Sequence, residues 1–376
     1  MSVMNEAYLA SIIVSSYNYG RFLREAIDSA LNQTYHRAEV IVVDDGSTDD
    51  SRAVIAGYGS RIRTVLKENG GQASAFNAGF AESRGEVIFF LDSDDVLLPT
   101  AVERAIVFFQ DSGVVKAHWP LSVIDELSRE TGKVIGANLP EGDLREALIR
   151  NGPDGYGWPP TSGGAWARWF IERVFPMPEA EYKTCPDLYL AALAPLFGLV
   201  RKVPEHQGFW RSHRVNNSWR ESFEERMREG LWRTDRCLST LSEYCEKLGV
   251  NADPENWKRN SWWLQIESAT RKISTLIPSG EKFILVNEDE WAAGATIAGR
   301  SRLPFPEQDG YYAGPPADDE SAIEELERLR RGGANFIVFV WPHLWWLDYY
   351  AGLRRRLYAN FRCIAEDDRF VAFDLR

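Results

Sequence analysis

The chain has 376 residues, longer than one average domain, so two domains with a helical insert are expected. Its 44% hydrophobic and 26% charged residues are those of an ordinary globular protein, and a formal charge of −12 argues against a nucleic-acid binder working through a broad basic surface. That charge does not exclude a bound nucleotide, because a metal ion and backbone amides supply positive field locally. The four cysteines, Cys185, Cys237, Cys245 and Cys363, show no C-x-x-C spacing, so neither a zinc site nor a disulfide framework is indicated. Residues 1–10 lack a basic n-region and a long apolar stretch, and the longest apolar run, 336–347, falls short of the ~20 residues of a spanning helix and is broken by Pro342 and His343. A cytoplasmic protein is expected, and 14 tryptophans leave room for a peripheral contact at the inner face of a membrane.

Residues 11–15 form a short apolar run, followed by the loop Ser16-Tyr17-Asn18-Tyr19-Gly20 and a helical spacing at Phe22, Leu23, Ala26, Ile27, Ala30 and Leu31. A second run, 40–43, ends in Asp44-Asp45-Gly46-Ser47-Thr48-Asp49-Asp50, where Ser47, Thr48 or Asp49 is placed to cap a helix carrying Val54 and Ile55. Residues 62–66 read as a third strand, Asn69-Gly70-Gly71-Gln72 as a loop, and 73–81 as a small-residue helix. The apolar, β-prone run 87–91 then fits a strand buried on both faces, and Asp92, Asp94 and Asp95 follow at once. Like charges this close repel and raise one another's pKa unless a cation sits between them, and hard divalent ions take such oxygen ligands. Asp-Ser-Asp-Asp is also an ordinary turn composition, so a metal-diphosphate site and a plain turn are both open at this point. Strands alternating with helices mean a mostly parallel, doubly wound sheet, whose ligands sit at the carboxyl ends of the strands. Ser15 and Tyr17, Asp44 and Asp45, and Asp92 to Asp95 lie at such ends and are expected to converge on one crevice.

After Pro99 a helix with Val102, Ala105, Ile106 and Phe109 returns to the sheet, 114–118 begins another strand, and 121–136 reads as a hairpin turning at Thr131-Gly132. Residues 151–166 are dense in glycine, proline and aromatics, so a shaped loop is expected until about Ala165. There Trp158 and Trp166 either offer flat apolar faces to a ligand or plug the core. Asp187 opens an apolar helix, where a carboxylate complements the helix dipole. Residues 221–276 take a helical period, two long amphipathic helices separated by Asn251-Ala-Asp-Pro. Beyond the linker Pro278-Ser-Gly come a strand at 282–287, a loop through Pro316, a helix with Ile323, Leu326 and Leu329, a strand at 335–341, a helix around Leu353 and Leu357, and closing strands at 361–365 and 370–375. Asp289, Asp318 and Asp319 read as loop and cap residues there, and Trp345 and Trp346 as core or contact surface.

Four stretches in order, Ser11 to Asn18, Val42 to Asp49, Asn69 to Gly79 and Leu91 to Asp95, together resemble the family 2 glycosyltransferases over about residues 8–220. The resemblance implies an α/β, GT-A (Rossmann-like, nucleotide-diphospho-sugar transferase) mixed sheet as a catalytic domain at 1–220; spacing alone adds a helical segment at 221–277 and a small α/β domain of unknown role at 278–376. It further implies an inverting transferase of polysaccharide or glycoconjugate synthesis, with a UDP-sugar donor, Mn²⁺ or Mg²⁺ and a carbohydrate or glycolipid acceptor. By the same resemblance Ser15 and Tyr17 lie near the base, Asp45 at the uracil edge, Gln72, Asn77 and Ser93 along the donor, and Asp92 at the ribose or metal. Asp94 and His213 are expected at the metal, and Asp187 as general base, with Glu179 and Glu181 as alternatives. Arg211 or Arg214 is placed to neutralise the leaving group. One departure is Phe76, where many relatives carry an arginine, so a charge beside the diphosphate is absent or comes from Lys67 or another arginine. A homodimer is left open. Two rival classes are a sugar-nucleotide nucleotidyltransferase and a non-catalytic carbohydrate-binding protein on a transferase scaffold. The first usually opens with a glycine-rich loop ending in Arg and Lys, which Ser15 to Gly20 lacks; the second predicts loss of Asp92 or Asp94, and both are present.

Overall fold

The computed structural model describes residues 8–213, 222–291, 294 and 296–376. They divide into two compact units, Met1–Trp219 with Arg233–Lys258, and Arg220–Trp232 with Arg259–Arg376. In the first unit β1 (Ala10–Ser16) leads into α1 (Gly20–Leu31), β2 (Ala38–Asp45) into α2 (Ser51–Ala56), β3 (Arg63–Lys67) into α3 (Gln72–Glu82), and β4 (Val87–Asp92) into the short β5 (Val96–Leu97). There follow α4 (Ala101–Ile106), β6 (Val114–His118), β7 (Leu121–Ile124), β8 (Glu130–Ile135), α5 (Arg145–Asn151), β9 (Gly164–Ala167), α6 (Arg168–Val174), α7 (Pro186–Phe197), β10 (Leu199–Lys202) and β11 (Gly208–Arg211).

Seven strands form one sheet in the order β10-β6-β9-β4-β1-β2-β3, parallel except for β9, which runs against both neighbours. The apolar runs of β1, β2 and β4 are its centre: Ile12 to Val14, Ile41 to Val43 and Ile88 to Leu91 are no more than 1% exposed. Register then aligns the polar residues that end these strands, with Ser15 opposite Asp92, Ser16 opposite Asp44, and Asp45 opposite Lys67. Helix α3 lies close on β1, because a Cβ on Gly79 would come within 2.4 Å of the Ile13 side chain. Phe76 on the same helix is buried and stacks on Phe90 with ring centres 4.0 Å apart. Its side chain therefore points into the core, away from the strand ends, so a charge at this position would not serve a ligand there.

The smaller sheet β5-β11-β7-β8 corrects one expectation. The β7–β8 turn lies at Asp125 to Arg129, not at Thr131-Gly132: Asp125 Oδ1 accepts the N–H of Leu127 at 2.9 Å and of Arg129 at 3.0 Å, and the Asp125 N–H donates to the Arg129 carbonyl. An aspartate that bonds its own following amides makes a turn without glycine. The shaped loop also ends one residue earlier than Ala165, and Trp166 sits inside β9, 4% exposed, so it plugs the core and offers no face to a sugar.

Helix α8 (Phe223–Lys247) contributes to both units. The second long helix expected from the spacing is two, α9 (Pro254–Asn260) and α10 (Trp262–Leu276), broken at Ser261. In the second unit come β12 (Lys282–Val286), β13 (Thr296–Ile297), β14 (Arg300–Pro304), β15 (Glu307–Gln308), β16 (Tyr311–Tyr312), α11 (Asp319–Arg331), β17 (Phe336–Val340), α12 (Trp345–Tyr349), α13 (Ala351–Asn360), β18 (Arg362–Asp367) and β19 (Phe370–Asp374). The stretch before Pro316 thus holds four short strands where a loop was expected. Its six-stranded sheet runs β13-β14-β12-β17-β19-β18, with α10 packed on one face and α11 and α13 on the other. Asp318 caps α11 through the Ser321 N–H at 2.8 Å, and Asp319 accepts the first amides of α13. Among the described residues no helix is long and apolar enough to cross a membrane. The described residues adopt the expected mixed α/β sheet, followed by helices and a smaller α/β unit.

Phe76→Ala removes a fully buried stacked ring. It is expected to cost about 3–5 kcal/mol, read as a fall in the urea midpoint of the first unit's transition.

Candidate active site

The loops after β1, β2 and β3 hold one another. Asn18, in a left-handed conformation (φ 59°), accepts the Thr48 N–H at 2.7 Å and donates its own N–H to Ser47 Oγ at 3.0 Å. Asp49 accepts the N–H of Gly20 at 2.9 Å and of Ser51 at 3.0 Å, tying the starts of α1 and α2 together. Asp44 is buried, accepting the Ser47 N–H and the Arg52 guanidinium at 2.8 Å, a purely structural role. Asp45 accepts from the amides of Gly70 at 3.0 Å and Gly71 at 2.7 Å and from Lys67 Nζ at 2.6 Å. Gly71 suits this closure because its φ is +91° and a Cβ there would stand 2.6 Å from the Lys183 carbonyl oxygen.

At the end of β4, Asp92, Asp94 and Asp95 each bring a carboxylate oxygen within 4.8 Å of the others. Asp92 accepts from Gln72 Nε2 at 2.6 Å, and its N–H donates to Ser162 Oγ. Asp95 is 1% exposed and accepts Ser162 Oγ–H at 2.6 Å and the Arg211 N–H at 2.9 Å. The Arg211 side chain is also buried and donates to the Asp94 carbonyl at 2.7 Å, to Ser128 Oγ at 2.8 Å and to Glu25. Behind Asp94, His213 Nε2 lies 2.9 Å from its carboxylate, with the His213 ring against Tyr19 and Phe22. Burial, then mutual repulsion, pushes the pKa values of Asp92 and Asp95 well above the usual carboxylate range. An oxygen-only cluster destabilised by its own charge fits a hard divalent cation, for which Asp92 and Asp94 are the accessible ligands.

These strand ends open on a cavity of about 670 Å³ that Asp187 also lines. Cys185 turns the chain into α7 with a left-handed backbone (φ 59°), Pro186 takes the first helical position and Asp187 the first turn. Burial raises the Asp187 pKa, while the charges of Arg233 and Lys116 pull it down. Lys116, on β6, is 1% exposed with its ammonium 4.7 Å from the Trp166 ring centre, and burial lowers its pKa to about 7. The wall on this side is completed by Trp158, Trp210, Lys183 and, from α8, Arg233.

Residues 11–158 match the family described as Glycosyl transferase family 2. An uncharacterized glycosyltransferase of Nostoc sp. is 38% identical over 213 residues, which cover 55% of this chain and 66% of that protein. Residues 11–158 belong to glycosyl transferase family 2. The hyaluronan synthase of Pasteurella multocida is 43% identical over 111 residues, covering 29% of this chain and 11% of that one. The chain thus spans less than two thirds of the length of these relatives. Among solved structures, residues 1–349 of S. aureus TarS in complex with UDP-GlcNAc are similar at 16% identity and a TM-score of 0.49, covering 71% of this chain and 73% of that one.

Ser15, Tyr17, Asp45, Gln72, Asp92, Ser93, Asp94 and Asp187 all line the cavity. Tyr17 is 46% exposed, a ring open to a flat ligand. Asn77 stands apart: its amide clamps the Met177 backbone, accepting the N–H at 2.9 Å and donating to the carbonyl at 3.0 Å, and it holds Glu179 as well. It shapes the approach to α7 and is not among the lining residues. Glu179 and Glu181 do not line the cavity either. Lys67 is committed to Asp45, and Arg211 to the carbonyls and carboxylates behind the cluster, and neither is among the residues that line the cavity; Arg214 lies outside the described residues. The cations that do reach the wall, Lys183 and Arg233, were missed. Arg233 sits in a helix whose spacing shows only amphipathic packing, whereas Lys116 had a signal, a charge inside an apolar strand run.

Because the folded state binds protons to Asp92 and Asp95 more tightly than the unfolded chain, these groups stabilise the metal-free protein in acid and lose that contribution as pH rises through their raised pKa values. Mn²⁺ or Mg²⁺ is therefore expected to raise Tm more at neutral pH than in acid, by about 2.7 kcal/mol of stability at a hundredfold ratio to Kd. Asp94→Ala should erase the shift; a melting curve in which metal acts equally at both pH values would count against this site.

Proposed function

We propose that the chain is a metal-dependent, inverting glycosyltransferase that moves a sugar from a UDP-linked donor to a hydroxyl of a carbohydrate or glycolipid acceptor. The supporting observation is that one cavity gathers Tyr17 and Asp45, the Asp92–Asp94 carboxylates, and Asp187 on a separate helix. Tyr17 stacks on the base, and Asp45, with three acceptor positions used by the 67–71 loop, keeps one for a ring N–H. Asp92 and Asp94 hold the divalent ion, which when bound supplies charge for the departing diphosphate. Gln72 and Ser162 fix Asp92 by hydrogen bonds, and His213 fixes Asp94.

Asp187, ionised, accepts the proton of the acceptor hydroxyl as that oxygen attacks the anomeric carbon from the face opposite the diphosphate. The glycosidic bond forms, the bond to the diphosphate oxygen breaks, and the proton rests on Asp187. A pKa raised by burial makes this carboxylate a stronger base, while the charges of Arg233 and Lys116 pull in the opposite direction. Trp158 and Trp210 offer flat apolar faces to the acceptor. The similarity of 29% of the chain to a hyaluronan synthase supports a carbohydrate acceptor.

A panel of sugar nucleotides incubated with Mn²⁺ tests the reading. Metal-dependent release of UDP from one donor is expected; no turnover and no metal-dependent nucleotide binding would refute it, and pyrophosphate release from a nucleoside triphosphate with a sugar phosphate would favour nucleotidyl transfer. Asp187→Asn should keep donor affinity while transfer drops by about 10²–10⁴-fold. In the unaltered enzyme kcat/KM should fall as pH drops through the raised Asp187 pKa, and a flat acid limb would remove Asp187 from the base role.

A further inference from the structure

In the second unit β12 lies between β14 and β17, and the three run parallel. The chain leaves the carboxyl end of β12 across one face, where Trp291 and Ile297 pack with α10, and leaves that of β17 across the other, where Trp346 and Leu353 pack with α11. Diverging connections of this kind mark the crevice where open α/β sheets bind ligands.

The side chains that meet there do not form an apolar core. His343, after β17, is 3% exposed, and its Nε2 lies 3.6 Å from the Glu290 carboxylate and 4.0 Å from that of Glu288, both after β12. Glu288 accepts the Trp346 indole N–H at 3.1 Å. Both glutamates stay partly exposed, whereas Asp289 is neutralised by Arg302 at 2.6 Å. In the same two segments the Asn287 amide nitrogen, the Trp291 indole N–H and His343 Nδ1 are buried without a hydrogen-bond partner. Buried polar atoms normally find partners, so three on these two adjoining segments point to a ligand that brings them.

We propose that this crevice is a carbohydrate-binding site, additional to the transferase cavity. Glu288 and Glu290 can only accept hydrogen bonds, and the Asn287 amide and Trp291 indole can only donate them; hydroxyl groups do both. A quaternary ammonium would suit the carboxylates and rings but leave the donors unpaired. An anion is repelled by the glutamates, and the one cluster with cation-ligating spacing among the described residues is Asp92, Asp94 and Asp95. Trp345, 42% exposed and 5.6 Å from the Trp346 ring, offers a flat apolar face for a pyranose.

The test is tryptophan fluorescence of the full chain, saturated with UDP and Mn²⁺ and titrated with methyl glycosides of glucose, galactose, mannose and N-acetylglucosamine and with a β-linked tetrasaccharide of each. At least one sugar should bind saturably. The Glu288→Gln, Glu290→Gln double variant, which keeps an acceptor for Trp346, should weaken it by about tenfold or more through loss of charge-assisted hydrogen bonds. The exposed Trp345→Ala change should weaken it too, with the melting temperature and donor hydrolysis unaltered in both. No saturable sugar, equal binding by the double variant, or a glutamate-dependent signal from choline or Mn²⁺ alone would overturn the proposal.

Discussion

Negative charge confined at the end of a buried strand is the constraint on which the first unit is built. Three carboxylates within 4.8 Å of one another, one of them almost fully buried, are a liability in an otherwise apolar sheet. The surrounding chain answers it piece by piece. Ser162 bridges Asp92 and Asp95, Gln72 meets Asp92, and the backbone and guanidinium of Arg211 meet Asp95 and the Asp94 carbonyl. These partners come from the start of α3, the loop before β9 and the end of β11, so the cluster gathers segments far apart in sequence. What the protein atoms leave uncompensated faces the cavity, and that residue of charge is what the proposed function uses.

The same economy runs through the neighbouring loops. Asn18 bonds Ser47 and Thr48, Asp49 bonds Gly20, and Asp45 bonds Gly70 and Gly71. Most polar groups of the motifs that resemble the family therefore act first on one another, fixing the shape of the cavity rim. Tyr17 is the exception, held out by its neighbours with nearly half its surface exposed. Asp187 approaches from α7, a helix start shaped by a left-handed residue and a proline, and reads its surroundings through the opposed effects of burial and two cations.

The strand ends were legible because parallel strands buried on both faces read as unbroken apolar runs, and the polar residues that stop them fall at the carboxyl edge by topology. Roles that depend on side-chain direction were not. Nothing in the spacing of α3 separates Phe76, in the core, from a residue facing the ligand, nor Asn77, which clamps the Met177 backbone, from one lining the cavity. The turn at Asp125 to Arg129 was missed because a side-chain acceptor replaced the glycine that usually marks such a turn, and Trp166 was left open between a ligand face and the core because Gly163 and Gly164 hid the start of β9. Arg233 reaches the cavity from a helix that also belongs to the second unit, and no local pattern reports contacts made across so many residues.

The central claim, that the cavity is a nucleotide-diphosphate site with its metal at the end of β4, is tested most directly by an anomalous-scattering map of crystals soaked in UDP and Mn²⁺. The account predicts a manganese peak against Asp94, with diphosphate oxygens completing its shell and the uracil ring on Tyr17. A nucleotide bound in the cavity without metal at Asp92 and Asp94, or bound elsewhere, would contradict it.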